Sequence, residues 1–129
     1  MKKELKVAAA LIENNTKFLL CQRNEADTFS LLWEFPGGVV EENESLKMAV
    51  EREIKEELDL EVEAKKLIRE FEDENEDLKI IVYLFECIIK KGQACARECR
   101  DFGFFSLKEM KSKNLAPVDT KIFNYLSQK

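Results

Sequence analysis

The chain has 129 residues, of which 45% are hydrophobic and 36% charged, a balance typical of a globular protein rather than a disordered or fibrous one. Its formal charge of −5 argues against nucleic acid as an electrostatic partner, and no apolar run approaches the roughly 18 residues that a membrane-spanning helix requires. We therefore expect a single domain, residues 1–129, with no nucleic-acid or membrane partner.

The first third of the chain predicts two strands joined by a turn, and then a second segment of turn composition. The segment LKVAAALIENNTKFLLCQRN has strand-like runs on both sides of an Asn-Asn pair at positions 14 and 15, which favours a hairpin. Its first apolar run is short and interrupted by Glu4 and Lys6, so it suits a strand better than a signal peptide and favours a cytoplasmic protein. The WEFPGG segment has turn composition, in which Gly37 and Gly38 permit positive φ or close approach of a ligand.

A helix is predicted to start near Ser45, a good N-cap, and to run to about Leu58. At about 100° per residue, an apolar stripe able to pack against a sheet is formed by Val50, Ile54 and Leu58. A neighbouring stripe carries three glutamates at i, i+3 and i+4 whose side chains converge: Glu53, Glu56 and Glu57. Taken alone, a solvated charged face would explain this second stripe about as well as a functional site would.

The second half of the chain predicts strands and a closing helix. EVEAKKLIREFED is expected to form one strand or two, LKIIVYLFECII a strand rich in β-branched and aromatic residues, and residues 102–106 a short strand. The acidic run at residues 72–77 is most simply a solvated hairpin turn. The final segment, VDTKIFNYLSQK, has helical spacing of its apolar residues.

The absence of histidine removes Ser-His-Asp and Cys-His mechanisms. Nothing indicates export, so the four cysteines are expected to be reduced thiols: Cys21, Cys87, Cys95 and Cys99. A structural zinc site would need all four, from distant segments, in tetrahedral geometry. The chemistry of this protein must therefore use carboxylates, lysines or a bound metal ion.

The glutamate stripe lies within a longer pattern that resembles the Nudix box. Residues 38–60 read GVVEENESLKMAVEREIKEELDL. The box has a glycine, five residues, a glutamate, seven residues, and then Arg-Glu-aliphatic-any-Glu-Glu-any-Gly-aliphatic. Every position matches except the last glycine, which is Asp59 here. Because aspartate tolerates the left-handed conformation better than most residues, we expect this helix end to be intact.

The resemblance implies a metal site on the helix. Glu53, Glu56 and Glu57 match the metal-binding carboxylates of the family, and Glu53 is also placed to orient or deprotonate a water. The carbonyl of Gly37 is the matching backbone ligand. Carboxylates are hard ligands that suit Mg²⁺, or Mn²⁺ as a substitute, better than zinc.

Three further residues match family positions outside the glutamate stripe. Arg52 and Glu44 match the polar pair that braces the loop against the helix beside the catalytic Glu53. Glu98 matches a further metal-binding glutamate on a mobile loop, although a solvated surface glutamate explains this residue nearly as well.

The flanking segments KVAAALI, FLLCQR, LWEFPGGVVE and LAPVDTKIF extend the resemblance over nearly the whole chain, to the MutT branch and its CTP pyrophosphohydrolase relatives. The resemblance implies an α/β fold, an α/β/α sandwich with a mixed sheet. It also implies cleavage of nucleoside triphosphates into a monophosphate and pyrophosphate. By the same alignment, the nucleotide pocket would be lined by Arg23, Glu34, Phe35, Pro36, Gly37, Gly38 and Asp119.

One residue of this pocket, Phe35, and the nearby Val39 leave alternatives open. Phe35 could be a wall of the base site or plain core. Where the family often has a lysine after the paired glycines, this chain has Val39, so one phosphate contact is absent or supplied from elsewhere.

Asp119 is the most informative residue for specificity, because the MutT branch carries asparagine there and its CTP-type relative aspartate. An ionised aspartate only accepts hydrogen bonds, which favours the amino group of cytosine; a protonated one also fits an 8-oxoguanine edge. We therefore expect a Mg²⁺-dependent house-cleaning enzyme, monomeric or weakly dimeric, that acts on CTP- or dCTP-type nucleotides, on 8-oxo-dGTP, or on both. The alternatives are a hydrolase of nucleotide sugars or dinucleoside polyphosphates, and a non-catalytic nucleotide sensor.

Overall fold

The computed structural model describes residues 2–128. In chain order its elements are β1 (Lys3–Leu11), β2 (Glu13–Asn14), β3 (Lys17–Gln22), β4 (Trp33–Glu34), β5 (Gly37–Val39), α1 (Leu46–Leu58), β6 (Glu61–Glu74), β7 (Leu78–Lys91), β8 (Asp101–Phe105), α2 (Leu107–Met110) and α3 (Pro117–Ser127). Within this described range, no helix has the length and apolar character needed to cross a membrane.

Two sheets form the scaffold. The first has the strand order β5-β1-β7-β6, in which β1 and β7 run parallel and the other neighbours antiparallel. In the second sheet, β3 pairs antiparallel with β2, β4 and β8. The parallel pair within an otherwise antiparallel sheet confirms the prediction of a mixed sheet.

Helices cover both faces of the first sheet. Side chains alternate along a strand, so Ala8 and Ala10 of β1 join the apolar cluster that contains the buried face of α1. Ala9, between them, joins the opposite cluster, to which α3 contributes Ile122 and Leu126. This arrangement of helix, sheet and helix is the predicted α/β/α sandwich.

Both ends of α1 agree with the sequence. Ser45 Oγ accepts a hydrogen bond from the backbone N–H of Met48 at 3.1 Å, as expected of an N-cap. Asp59 ends the helix in the left-handed conformation (φ 57°, ψ 32°), and its N–H donates to the carbonyl of Lys55. The departure from the Nudix box at this position therefore leaves the helix end intact.

The WEFPGG segment differs from the prediction of a simple turn. Its glycines lie in β5, where they pair with Ala8 and Ala9 of β1, and neither adopts a positive φ. A Cβ at Gly37 would stand 2.1 Å from the carbonyl oxygen of Ala8. Close approach of the chain's own strand, rather than turn geometry, requires glycine here.

Residues 61–74 form one long strand with irregular register, which is one of the two alternatives left open by the sequence. The short helix α2 departs from the prediction, since the sequence did not indicate it. The acidic hairpin turn is confirmed but is shorter than expected, since only residues 75–77 connect β6 to β7.

Candidate active site

Arg52 lies at the centre of the acidic face of α1. Its guanidinium binds Glu44 through two hydrogen bonds, Nε to Oε2 at 2.6 Å and Nη2 to Oε1 at 2.9 Å. It also donates to Glu53 at 2.8 Å, to Glu56 at 3.1 Å and to the carbonyl of Val39 at 3.1 Å. These contacts join the loop after β5 to the helix. The guanidinium, with the backbone N–H of Glu41, lowers the pKa of Glu44 to about 2.

Glu57 connects α1 to β5. Its Oε1 accepts a hydrogen bond from the backbone N–H of Gly37 at 3.0 Å. Burial raises the pKa of Glu57 to about 9, and the negative charges of Glu34 and Glu53 add to the rise. Glu57 is thus a buried carboxyl group whose neighbouring charges are mainly negative, which favours its protonated form.

Glu53 lies directly against Gly38. A Cβ at position 38 would stand 2.2 Å from Cδ of Glu53 and 2.3 and 2.6 Å from its two oxygens. Gly38 is therefore required by its contact with the glutamate side chain. Burial raises the pKa of Glu53, while its hydrogen bond from Arg52 opposes that rise.

The two remaining glutamates of the predicted metal site are exposed. Glu56 is bound to Arg52, as described. Glu98 is held by its backbone, since its N–H donates to the carbonyl of Glu57 at 3.3 Å and its own carbonyl accepts from Nδ2 of Asn24 at 2.7 Å. Across residues 2–128, no three acidic or thiol side chains are grouped closely enough to hold a metal ion as they stand.

A cavity of about 300 Å³ is lined in part by Gly37 and Gly38. Its wall is mainly apolar, and one side of it is formed by alternate residues of β1 and β7, namely Leu5, Val7, Ala9, Leu78, Ile80 and Val82. Of the residues predicted to line a nucleotide pocket, those on its wall are Arg23, Glu34, Phe35, Gly37, Gly38 and Asp119. Pro36 is fully buried and is not on the wall. Phe35 belongs to both the wall and the core.

The polar side chains on the wall of this cavity belong to Arg23, Thr28, Glu34, Asp73 and Asp119. Asp119 is 5% exposed and accepts a hydrogen bond from the backbone N–H of Phe35 at 2.8 Å. Its burial, reinforced by the charge of Glu34, raises its pKa well above the ordinary value. Arg23 donates to both oxygens of Glu34, at 3.1 and 3.2 Å, yet burial still raises the pKa of Glu34.

Sequence reasoning missed part of the cavity wall. Thr28 and Phe29, in the loop between β3 and β4, had no motif to mark them. The apolar residues of β7 had a usable signal, because residues 78, 80 and 82 lie on one face of a strand. What the sequence did not show is that this face points away from α1.

All four cysteines are free. Cys21 and Cys87 are buried, Cys99 is half-buried and hydrogen-bonded to the thiol of Cys21, and Cys95 is exposed. Burial raises the pKa of Cys87 to about 12, which suppresses its thiolate form at neutral pH.

This chain is similar to known proteins in both sequence and structure. The NUDIX domain family matches residues 2–126. The CTP pyrophosphohydrolase of Escherichia coli is 33% identical over 117 residues, which cover 91% of this chain and 87% of that protein. An 8-oxo-dGTP diphosphatase of Haemophilus influenzae is 29% identical over 127 residues, 97% of this chain and 93% of that protein. The crystal structure of a MutT protein from Methanosarcina mazei superposes with a TM-score of 0.86 at 26% identity, covering 98% and 95% of the two chains.

Proposed function

Because this chain belongs to the Nudix family and is a Nudix hydrolase, we propose that it is a Mg²⁺-dependent nucleoside triphosphate pyrophosphohydrolase. It would convert a nucleoside triphosphate and water into a nucleoside monophosphate and pyrophosphate. The observation that carries the proposal is that two sites share one stretch of backbone. Gly37 and Gly38 contact the glutamates of α1 and also line the apolar cavity, so polyphosphate and base can be bound side by side.

The donor groups on α1 fit a hard divalent cation. Nudix hydrolases generally use divalent metal ions, and we assign Mg²⁺, or Mn²⁺ as a substitute, to Glu53, Glu56, Glu57, Glu98 and the Gly37 carbonyl. Carboxylate and carbonyl oxygens are the ligands that these ions prefer. The raised pKa of Glu57 supports the assignment, because it marks a buried acid without sufficient counter-charge. When bound, such an ion neutralises phosphate charge and makes a bound water more acidic.

The remaining chemistry belongs to the protein's own side chains. We assign Glu53 as the group that orients the attacking water and accepts its proton, because it matches the catalytic glutamate of the Nudix box and lies against Gly38, where the metal site and the cavity meet. Arg52 holds Glu53 through its hydrogen bond at 2.8 Å. Glu44 in turn holds Arg52 through two hydrogen bonds, which keeps the guanidinium from turning freely.

We assign the apolar cavity to the base. Ligand sites are commonly apolar with a few convergent polar groups, and this cavity has Arg23, Glu34 and Asp119. An ionised Asp119 would accept a hydrogen bond from the amino group of cytosine, whereas the protonated form favoured by its burial could also donate one. CTP- or dCTP-type nucleotides and 8-oxo-dGTP are therefore the proposed substrates, in a nucleotide-pool house-cleaning role.

A substrate panel tests this proposal. CTP, dCTP, 5-methyl-dCTP, 8-oxo-dGTP and dATP analogues would be incubated with Mg²⁺ or Mn²⁺, and the products separated by ion-exchange chromatography. We expect pyrophosphate and a monophosphate from at least one of them. Release of orthophosphate alone would refute the reaction. A nucleotide sugar and a dinucleoside polyphosphate are assayed beside the panel, and turnover of these alone would establish the first alternative. Calorimetric binding without turnover would establish a sensor.

A matched pair of variants tests the assignment of Glu53. Glu53→Gln should lower kcat by orders of magnitude while thermal unfolding stays close to that of the wild type. Glu51→Gln is the control on the same helix, because the carboxylate of Glu51 accepts from the backbone N–H of Ala64 and a glutamine oxygen can do the same. Near-normal turnover of Glu53→Gln would remove Glu53 from the mechanism.

The other properties expected from the sequence remain proposals. We propose that residues 1–129 form one Nudix domain with its box at 38–60. We also propose that the protein is cytoplasmic, is a monomer or weak homodimer, and has no nucleic-acid partner.

A further inference from the structure

Phe29 is an exposed aromatic residue on the wall of the cavity. The residue is 41% exposed, and its backbone is left-handed, with φ 59°. For an ordinary L-residue that conformation costs about 1–2 kcal/mol, and part of the aromatic residue still remains in contact with water. Energetically costly backbone conformations of this kind cluster at ligand-binding sites.

The loop that carries Phe29 is anchored at the polar end of the cavity. The backbone N–H of Arg23 donates to the carbonyl of Leu32 at 2.9 Å, and the N–H of Leu32 donates to the carbonyl of Phe29 at 3.1 Å. The Arg23 side chain donates to the carbonyl of Thr28 at 2.6 Å and also holds Glu34. The position of Phe29 is thus coupled to the side chains that would bind the base edge.

The wall formed by β1 and β7 is apolar and belongs to a sheet, with Leu5, Val7, Leu78 and Ile80 facing the cavity. A sheet face presents a broad surface on which a planar ring can lie, and Phe29 adds an aromatic ring from a different element. Base stacking on an aromatic side chain is tolerant of base identity, because every base has a π-face.

Building on the proposed function, we propose that Phe29 is a base-stacking residue that sets the affinity of the cavity for the nucleobase. Phe29 covers a heteroaromatic ring bound against the β1–β7 wall. Recognition of the base edge stays with Asp119. Phe29 therefore contributes binding strength across bases, and Asp119 contributes the choice between them.

Leu31 provides a matched control. It lies in the same loop, has the same left-handed backbone (φ 63°) and is 37% exposed. It does not line the cavity. A substitution of Leu31 thus reproduces the loss of an exposed apolar side chain from this loop without touching the proposed ring site.

The test measures binding by calorimetry without metal, so that it does not depend on turnover. The probes are CMP, 8-oxo-dGMP and, as a ligand without a base, ribose 5-phosphate. Phe29→Ala should weaken binding of both nucleotides about 5- to 150-fold, which corresponds to the loss of ~1–3 kcal/mol per stacked base. Phe29→Tyr should bind like the wild type, Phe29→Leu should lose most of the affinity, and Leu31→Ala should stay within about twofold. Ribose 5-phosphate should bind all variants equally.

Four outcomes would overturn the inference: unchanged nucleotide binding by Phe29→Ala, full retention by Phe29→Leu, an equal loss in Leu31→Ala, or no binding of either nucleotide to the wild type. The fate of the proposed function is read separately, from pyrophosphate release by the wild type. An active wild type with unaffected binding in Phe29→Ala would refute the role of Phe29 alone. An inactive wild type whose nucleotide binding still depends on Phe29 would refute the proposed reaction alone.

Discussion

Gly38→Ala should disable the active site without unfolding the protein. The new Cβ would stand 2.2 Å from Cδ of Glu53, whereas carbon atoms in contact are normally about 3.5 Å apart. The carboxyl group must therefore retreat by more than ~1 Å. Because the obstructing atoms are the end of a flexible side chain, the glutamate can move and the strand can stay in place.

The displacement falls on the side chain assigned to activate the water. A misplacement of about 1 Å can lower a catalytic rate about 100-fold, so kcat/KM for the best nucleotide of the panel should fall at least that far. The melting temperature should change by only a few degrees, since an alanine at an exposed edge strand does little to the core. Both quantities are measured on the same preparation, by pyrophosphate release and by calorimetry.

Gly37→Ala is the matched control for this prediction. Its Cβ would meet the backbone of β1, at 2.1 Å from the Ala8 oxygen and 2.7 Å from Cα of Ala9. Backbone atoms in the β1–β5 pairing cannot move aside as the end of a side chain can, so this variant should lose stability as well as activity. Two results would refute the reasoning: a Gly38→Ala enzyme that turns over at the wild-type rate, or one that unfolds as readily as Gly37→Ala.

Three further predictions concern stability and reactivity. Asp59→Gly should keep or slightly raise the melting temperature and Asp59→Ala should lower it, because alanine at φ 57° is strained by about 1 kcal/mol; equal melting temperatures would contradict this. Folding raises the pKa of Asp119 above its unfolded value of about 3.9, so its stabilising contribution is present below about pH 4 and is lost as the pH rises through the folded pKa. Asp119→Asn can still accept the hydrogen bond from the Phe35 N–H. Its free energy of unfolding in urea should therefore increase relative to that of the wild type as the pH rises. A difference between the two proteins that does not change with pH would contradict this prediction. A thiol reagent followed by peptide mass spectrometry should modify the exposed Cys95 first and Cys87, buried with a pKa of about 12, last; early labelling of Cys87 would show that this part of the core opens readily.

The environment of Glu57 shows why sequence reasoning could place the glutamates next to one another on α1 but could not predict their electrostatic environment. The spacing of the Nudix box identified Glu53, Glu56 and Glu57 as neighbours on α1. It did not show that Arg52 donates hydrogen bonds to Glu53 and Glu56. Nor did it show that the charge of Glu34, from β4, acts on Glu57. Electrostatic environments sum over every nearby charge, and most of those charges come from other elements.

Features that depend on neighbours along the chain could be predicted from the sequence. The N-cap at Ser45, the buried stripe of α1 and the left-handed end at Asp59 all follow from residues within a few positions of one another. The sequence did not reveal why the paired glycines are glycines, or that Phe29 belongs to the wall of the cavity. Both points depend on long-range contacts, because strand pairing brings β5, β1 and β7 together over long sequence separations. Contacts made at such distances leave no periodic signal in the sequence.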